Sequence, residues 1–206
     1  MTLWAIIPAK SLRSGKTRLA KVLEENTRAE LNRQLLVHTL QVLQDLRPRI
    51  EHVLVTSPDP AVLSLARKHG ARTLREGSTS GLNPALARAT FLAKERYTEG
   101  VLILPTDLPL LEREDIERIL EHGQNPPVVV IVPDRHLRGT NALFVSPPGL
   151  ISYEFGENSF HRHCEQARQA GARLEILFLD RVAFDLDDVR DLALFRQISP
   201  STLPFP

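Results

Sequence analysis

The stretch Val101-Leu102-Ile103-Leu104-Pro105-Thr106-Asp107-Leu108-Pro109 decides the fold class of this chain. Its four consecutive apolar residues predict a strand buried on both faces, as the strands of parallel sheets are. Pro109 and the acidic run from Glu112 to Asp115 predict a turn that leads into a helix. Asp107 is therefore expected at the carboxyl end of a central strand, where open α/β sheets bind their ligands.

Asp107 has two interpretations at such a position. A carboxylate there is well placed to hold Mg²⁺ against a nucleotide phosphate. The alternative is a helix N-cap, a common role for aspartate at a strand-to-helix turn. The stretch alone supports both.

Short apolar segments alternate with amphipathic segments along the rest of the chain. This alternation predicts a single α/β domain over residues 1–198, with a mostly parallel sheet and helices on both of its faces. Residues 199–206 are rich in proline and are expected to form an extended tail. The predicted strands are Leu3–Ile7, His52–Thr56, Ala71–Leu74, Val101–Leu104, Val128–Val132, Asn141–Val145 and Leu174–Leu179.

Three helices between the predicted strands have recognisable ends. The first is expected to open with the capping box Thr27-Arg28-Ala29-Glu30. The second is expected from Asp59 to His69, closed by Gly70. The third is expected from Asn83 to Tyr97.

The composition limits the function classes. The 206 residues are 42% hydrophobic, and 26 basic residues nearly balance 25 acidic ones, which gives a net charge of +1. That balance argues against a nucleic-acid binder, which carries a strongly basic face. The single Cys164 fits a reducing cytosol. The apolar run from Leu3 to Ala9 is too short for a signal peptide or a membrane span, so we expect a cytoplasmic protein without a membrane contact.

The loop after the first predicted strand concentrates positive charge. Lys10, Arg13, Lys16 and Arg18 lie within Pro8–Leu19 of an otherwise neutral protein. Such a loop suits a triphosphate, and the alternative is a solvated basic loop. Ser14-Gly15-Lys16-Thr17 also matches the second half of a Walker A motif, but that motif requires glycine where Lys10 stands.

Two further segments could contact a nucleotide or an acceptor substrate. The glycines of Gly77–Asn83 permit close approach of a base or ribose, whereas Asn83 could also be a simple helix cap. Gly139-Thr140-Asn141 follows a strand and is explained as a turn, or as a site where Thr140 offers its amide and hydroxyl to an anion.

The last two candidate segments lie towards the end of the chain. Ser159 at a helix start, with Arg162 and His163 nearby, forms a plausible anion pocket. Zinc on His161, His163 and Cys164 is disfavoured, because neighbours two apart on a helix face different ways. Asp185 and Asp187 project to one side if extended, so that one of them could complete a metal site with Asp107.

Several motifs, in this order along nearly the whole chain, resemble the guanylyltransferases of coenzyme F420 biosynthesis, which act on 2-phospho-L-lactate or phosphoenolpyruvate. The motifs are Ile7–Lys10, Lys16–Leu19, Gly81–Leu86, Leu104–Leu110, Pro133-Asp134, Gly139–Leu143 and Phe155–Phe160. The resemblance implies a Rossmann-like, glycosyltransferase-A-like nucleotidyltransferase fold. Asp185–Leu192 resembles the closing Asp-x-Asp motif of that wider family. Asp188 and Val189 stand where Thr-Pro is commonest, which leaves the choice between Asp185 and Asp187 as metal ligand open.

The resemblance also implies an activity: GTP and a phosphorylated three-carbon acid give a guanylylated product and pyrophosphate. It implies Mg²⁺ as the cofactor, held by Asp107 with Asp185 or Asp187, and it assigns Lys10, Lys16 and Arg18 to the leaving pyrophosphate. It also assigns Gly81 and Asn83 to the guanine or ribose, and Thr140, Gly156 and Ser159 to the acceptor. The acceptor stays open among 2-phospholactate, phosphoenolpyruvate and 3-phosphoglycerate, and a homodimer stays open as the assembly. The competing functions are a P-loop phosphotransferase and a catalytically idle nucleotide-binding protein of the same fold.

Overall fold

A computed structural model describes residues 2–77 and 81–198. Its strands are β1 Leu3–Pro8, β2 His52–Ser57, β3 Arg72–Arg75, β4 Gly100–Ile103, β5 Val128–Pro133, β6 Thr140–Ser146 and β7 Arg173–Ile176. They form one sheet in the order β3-β2-β1-β4-β6-β5-β7. Strand β6 is antiparallel to both of its neighbours, and the other pairings of these strands are parallel. The predicted mostly parallel sheet is therefore confirmed.

The predicted strands match the observed ones closely, except at the end of β7. The prediction extended that strand to Leu179, but its pairing with β5 ends at Ile176. The amide of Leu177 still donates to Ile131 at 2.9 Å, and β5 then reaches Pro133, which has no amide hydrogen. Leu177 and Leu179 are instead buried in the core.

Helices cover both faces of the sheet. They are α1 Glu25–Gln44, α2 Pro60–Lys68, α3 Leu82–Lys94, α4 Arg113–His122, α5 Ser159–Gln169, α6 Asp180–Ala183 and α7 Val189–Ile198, with a short 3-10 helix at Thr17–Lys21. Side chains of α1, α2 and α4 pack in one apolar core, and those of α3 and α5 pack in another on the opposite face. Alternate residues of β1 contribute to the two cores, as the two-residue period of a strand requires. No helix in the described ranges is long and apolar enough to cross a bilayer.

The predicted capping box at Thr27 is wrong. Helix α1 begins at Glu25, and the amide of Arg28 already donates to the carbonyl oxygen of Glu24 at 2.9 Å. Thr27 therefore lies inside the first turn, and the Glu30 carboxylate accepts hydrogen bonds from Arg33 rather than capping the helix.

The other two predicted helices are confirmed with shifted ends. The Asp59 carboxylate caps α2 by accepting from the amide of Ala61 at 2.8 Å, and Gly70 has the expected positive φ of 71°. Helix α3 ends at Lys94 instead of Tyr97, because the chain turns sharply there and gives Tyr97 a φ of 56°.

A third, smaller apolar core is separate from the two cores described above. It joins the 3-10 helix, the start of α1 and helix α7 through Leu19, Leu31, Leu35, Phe184, Leu186, Leu192 and Phe195. This small third core anchors both the basic loop, through Leu19, and the acidic segment, through Leu186. The predicted tail 199–206 and residues 78–80 of the glycine-flanked segment lie outside the described residues.

Candidate active site

The strand order defines a crevice at the carboxyl end of the sheet. Strand β1 pairs with β2 on one side and with β4 on the other, so the direction of winding reverses between β1 and β4. In open α/β sheets such a switch point, at the carboxyl ends of the strands, is where ligands bind. The basic loop follows β1 and Asp107 follows β4. Because β6 is antiparallel to β4, its first residue, Thr140, lies at the same end of the sheet as the carboxyl end of β4.

The basic loop is held by side chains from two helices. One oxygen of Asp59 accepts hydrogen bonds from the Ser11 hydroxyl at 2.8 Å and from the Leu12 amide at 3.1 Å. The Asn32 amide donates to the carbonyl oxygen of Leu12 at 2.7 Å. A Cβ atom at Gly15 would lie 2.7 Å from Asn32 Nδ2 and 3.1 Å from the Ser11 carbonyl oxygen, so a side chain there would displace the Asn32 amide. From the sequence, Asp59 was predicted only to start a helix, and no role was predicted for Asn32.

Lys16 connects the acidic residues of two distant segments. Its Nζ lies 3.2 Å from Asp107 Oδ2 and 3.0 Å from Asp187 Oδ1, and its side chain is 9% exposed. Burial alone would lower the pKa of Lys16, but the two carboxylates outweigh burial and raise the pKa above its ordinary value. The backbone of Lys16 is left-handed, with φ 53° and ψ 41°. Such a conformation is uncommon for a residue with a side chain and persists where its surroundings enforce it.

The Walker A interpretation of this loop is wrong. A Walker A lysine lies at the start of an α-helix and points into a phosphate cradle. Here the five residues after Lys16 form a 3-10 helix, and α1 begins only at Glu25. The Lys16 ammonium group contacts carboxylates.

Asp107 does not cap the helix that follows it. The N-cap of α4 is Glu112, whose side chain forms a reciprocal capping box with Asp115. The Asp107 side chain is 31% exposed and points to Lys16, while its backbone carbonyl accepts a hydrogen bond from the amide of Leu186 at 2.9 Å. The N-cap alternative is therefore wrong, and the carboxylate is available in the crevice.

Asp185 and Asp187 lie on one side of an extended segment, as predicted. Phe184 and Leu186 are buried, whereas the two aspartates between and after them are partly exposed. Burial, together with the negative charges of Asp107 and Asp187, raises the pKa of Asp185 to about 6. Burial also acts to raise the pKa of Asp187, but Lys16, Arg18 and Lys10 outweigh it and lower that pKa.

The turn after Asp187 is fixed by Asp191. This buried carboxylate accepts hydrogen bonds from the amides of Asp187 at 2.8 Å and Asp188 at 2.7 Å, and it pairs with Arg135. Asp188 in turn caps α7 by accepting from the amide of Arg190 at 2.7 Å. Asp188 thus supplies the N-cap oxygen that threonine would supply in the Thr-Pro version of the motif.

The acidic residues fit a metal ion that takes some of its ligands from the substrate. They do not form a site in which the protein supplies every ligand. Within residues 2–77 and 81–198, no three histidine, cysteine, aspartate or glutamate side chains are grouped closely enough to hold a metal alone. Mg²⁺ sites of phosphoryl-transfer enzymes commonly use one or two carboxylates, with substrate phosphates and water as the other ligands. Asp107 and one of Asp185 or Asp187 match that donor set.

Gly81 and Asn83 differ in their surroundings. Gly81 is the N-cap of α3, and a Cβ atom added there would meet nothing within 4 Å, so the described fold does not require glycine at this position. Asn83 lies in the first turn of α3, so the helix-cap interpretation is wrong. Its Oδ1 accepts from the amide of Phe155 at 2.8 Å and its Nδ2 donates to the Phe155 carbonyl at 3.1 Å.

The predicted acceptor residues lie around the start of α5. Ser159 is the first residue of that helix and is buried, and Gly156 has a φ of 127°, a left-handed value that favours glycine. The amide of Phe160 donates to the carbonyl of Arg138 at 3.0 Å, which brings α5 against the β5–β6 connection. Thr140 is buried there, with its Oγ1 3.0 Å from His163 Nδ1.

Asn141 links the acceptor residues to the acidic segment. Its Nδ2 donates to the carbonyl of Val182 at 2.9 Å, and its side chain acts to lower the pKa of Asp185. Asn141 follows Thr140 in the sequence, and no role was predicted for it. The signal was a polar residue at the start of the predicted strand, in an otherwise apolar hairpin.

The sequence is similar to those of known guanylyl transferases. Residues 3–195 match the family model described as guanylyl transferase CofC like. The phosphoenolpyruvate guanylyltransferase of Rubrobacter xylanophilus is 42% identical over 193 residues, which cover 94% of this chain and 93% of that protein. The 2-phospho-L-lactate guanylyltransferase of Methanothermobacter thermautotrophicus is 31% identical over 188 residues, which cover 91% of this chain and 81% of that protein.

Solved structures of low sequence identity share the fold. A nucleotidyl transferase from Methanothermobacter superposes with a TM-score of 0.67 at 14% identity, covering 96% of this chain and 97% of that one. A 4-diphosphocytidyl-2C-methyl-D-erythritol synthase superposes with a TM-score of 0.67 at 13% identity, covering 96% of this chain and 98% of that one. The expected glycosyltransferase-A-like nucleotidyltransferase fold is thus confirmed. The chain belongs to the CofC-like guanylyl transferase family.

Proposed function

We propose that this protein transfers a guanylyl group from GTP to the phosphate of phosphoenolpyruvate and releases pyrophosphate, as a step of coenzyme F420 biosynthesis. The observation that carries the proposal is the contact of the Lys16 ammonium group with both Asp107 and Asp187 at the switch point of the sheet. Phosphoenolpyruvate is chosen over 2-phospho-L-lactate because the relative at 42% identity is named for it, whereas the relative named for phospholactate is 31% identical.

The reaction makes one bond and breaks one. A phosphate oxygen of the acceptor attacks the α-phosphorus of GTP, and the bond from that phosphorus to the bridging oxygen of pyrophosphate breaks. Nucleophile and electrophile are both anionic, so the barrier is largely electrostatic and is lowered by positioning and charge neutralisation. No side chain has to act as a nucleophile.

The basic loop supplies the cations for the triphosphate. Lys16 and Arg18 are proposed to stabilise the charge that develops on the departing pyrophosphate, and Lys10 to attract the triphosphate. Arg18 is 75% exposed with its Nη1 3.7 Å from Asp187, and Lys10 is exposed, so both side chains can turn to a ligand. The hydrogen bonds from Ser11 and Leu12 to Asp59 order the loop before a ligand binds, which reduces the entropy lost on binding.

The acidic residues are proposed to hold Mg²⁺, with Asp107 and one of Asp185 or Asp187 as ligands. When bound, the metal would neutralise charge on the α-phosphate and the acceptor. Burial is the largest cause of the raised pKa of Asp185, and repulsion by the neighbouring carboxylates of Asp107 and Asp187 adds to it. Lys16 compensates part of that charge. Asn141 and the Leu186 amide set the positions of the acids before any ligand binds.

The residues predicted to bind the nucleotide and the acceptor are proposed to do so, except that Asn83 has a different role. Gly81 is proposed to let the guanine or ribose approach the backbone closely, because its Cβ direction meets no atom of residues 2–77 or 81–198 within 4 Å. Both polar atoms of Asn83 are bonded to Phe155, so Asn83 is proposed to position the segment that leads to Gly156 rather than to contact the nucleotide. Thr140, Gly156 and Ser159 are proposed to bind the phospho-acid.

A pyrophosphate-release assay tests the proposal. Four nucleoside triphosphates are each paired with phosphoenolpyruvate, 2-phospho-L-lactate and 3-phosphoglycerate, with Mg²⁺ or with EDTA. We expect Mg²⁺-dependent pyrophosphate release that is greatest with GTP and phosphoenolpyruvate. Release of inorganic phosphate instead would indicate a phosphotransferase, and no turnover with any pair would indicate a catalytically idle nucleotide-binding protein.

A further inference from the structure

We propose that His163 is a positioning residue that fixes the Thr140 hydroxyl as a hydrogen-bond donor towards the anionic acceptor. This inference rests on the proposed function, since it assumes that Thr140 contacts the phospho-acid. It concerns a residue that makes no substrate contact of its own. Its basis is a chain of hydrogen bonds that runs from the Glu154 amide through the imidazole ring to Thr140.

The first link identifies the unprotonated nitrogen of the ring. The backbone amide of Glu154 donates to His163 Nε2 at 3.1 Å. A backbone amide has a hydrogen to give and no lone pair to accept one, so Nε2 must present its lone pair. The hydrogen of a neutral imidazole therefore resides on Nδ1.

The ring is neutral in the folded protein. His163 is 0% exposed, and burial, followed by the positive charge of Arg162, lowers its pKa to about 4. A doubly protonated ring would also place a hydrogen against the Glu154 amide. One ring hydrogen, on Nδ1, is the arrangement that satisfies both neighbours.

The second link sets the direction of the Thr140 hydroxyl. His163 Nδ1 lies 3.0 Å from Thr140 Oγ1, so Nδ1–H donates and the hydroxyl oxygen accepts. A hydroxyl carries one hydrogen and two lone pairs. Because its oxygen accepts from the ring, the hydroxyl hydrogen is free to point elsewhere. An anion requires a donor, and the opposite tautomer would turn the hydroxyl hydrogen towards the ring and present lone pairs to the anion.

The ring itself is held from the nucleotide side of the crevice. The Phe155 ring meets the His163 ring edge-on, with centroids 4.9 Å apart and planes at 67°. Asn83 binds both the amide and the carbonyl of Phe155. Helix α3, next to the proposed nucleotide contact Gly81, therefore sets the location of the imidazole that orients Thr140.

Two substitutions separate the two nitrogens of the ring. His163→Asn retains an N–H donor near the Nδ1 position, whereas His163→Gln places its amide near Nε2 and leaves Thr140 without the donor. Loss of one hydrogen bond that orients a charged ligand corresponds to about a tenfold change in affinity. We expect His163→Gln to raise the KM for phosphoenolpyruvate about tenfold, His163→Asn to raise it less than about threefold, and neither to change the KM for GTP by more than about twofold. Equal effects of the two substitutions on the acceptor KM would overturn the proposal.

A direct measurement of the tautomer does not depend on activity. The full chain, labelled with ¹⁵N in its histidine rings, is studied by NMR at neutral pH, and the His163 signals are assigned by their loss in His163→Asn. We expect a protonated Nδ1 and an unprotonated Nε2, with and without phosphoenolpyruvate. A proton on Nε2, or on both nitrogens, would overturn the proposal. Absence of guanylyl transfer by the wild-type protein, with the expected tautomer, would instead count against the proposed function.

Discussion

The backbone amide of Leu186 donates a hydrogen bond to the carbonyl oxygen of Asp107 at 2.9 Å. This single bond joins the loop after β4 to the segment that carries Asp185 and Asp187. The Leu186 side chain is 0% exposed and packs in the small third core, so apolar packing presses the two acidic segments together. The distance between the carboxylates is thus set by backbone and core rather than by the flexible acidic side chains.

Truncating Leu186 should loosen this arrangement. Leu186→Ala removes a fully buried side chain, and we expect a loss of about 2–5 kcal/mol in the free energy of unfolding, measured in urea. We also expect a lower kcat from the folded fraction, because Asp185 and Asp187 lose their fixed spacing from Asp107. Leu194→Ala is the matched control, since Leu194 is 41% exposed on the neighbouring helix α7. Equal stability losses in the two variants would contradict the role of the small third core.

Neutralising Asp185 should stabilise the metal-free protein. Its folded pKa of about 6 lies above the ordinary value of 3.8, so the ionised carboxylate opposes folding. The penalty is absent below the ordinary pKa, grows as the pH rises, and is complete above the folded pKa. We expect Asp185→Asn to gain about 2 kcal/mol in the free energy of unfolding near neutral pH and little near pH 4, measured by urea unfolding in EDTA. A gain that does not grow with pH would contradict this.

The left-handed backbone of Lys16 should reduce the free energy of unfolding when a residue other than glycine occupies this position. Lys16→Ala and Lys16→Gly both remove the ammonium group from Asp107 and Asp187, but glycine adopts a positive φ without a steric cost. We expect both variants to lose turnover. The glycine variant should be more stable than the alanine variant by about 1 kcal/mol, compared by urea unfolding. An alanine variant as stable as the glycine variant would show that the conformation is not strained.

Ser159 should act on acceptor binding. Removing its hydroxyl in Ser159→Ala takes away a polar group at the start of α5, and we expect the KM for phosphoenolpyruvate to rise about tenfold while the KM for GTP stays nearly constant. Initial rates of pyrophosphate release at varied concentrations of each substrate give both constants. Ser152→Ala, at an exposed residue outside the described helices and strands, serves as a control. A larger rise for GTP than for phosphoenolpyruvate would contradict the acceptor role.

The sheet and the main acidic residue could be predicted from sequence, because both depend on local patterns. The apolar run into Asp107 identified a buried strand and its carboxyl end. The alternation of Phe184-Asp185-Leu186-Asp187 likewise placed both aspartates on one side. Charge concentration indicated the basic loop, although the sequence did not show that Lys16 would contact the acids directly.

The remaining contacts depend on residues far apart in the chain. Asn83 bonds to Phe155, 72 positions away, and Asp59 holds Leu12, 47 positions away. Neither partner can be inferred from the residues near it in sequence. The start of α1 was missed for a different reason: Thr27 to Glu30 has the letters of a capping box, but helical hydrogen bonds begin earlier, at the carbonyl of Glu24.

The most direct test of the account is the kcat of Asp107→Asn. Asparagine keeps the size of the side chain but removes the charge proposed to hold Mg²⁺ at the α-phosphate, so the interaction lost is strongest in the transition state. We expect the variant to stay folded and to release pyrophosphate about 100-fold or more slowly with GTP and phosphoenolpyruvate. Asp45→Asn, at an exposed residue after α1, should keep the wild-type rate. A folded Asp107→Asn protein with the wild-type kcat would contradict the central claim.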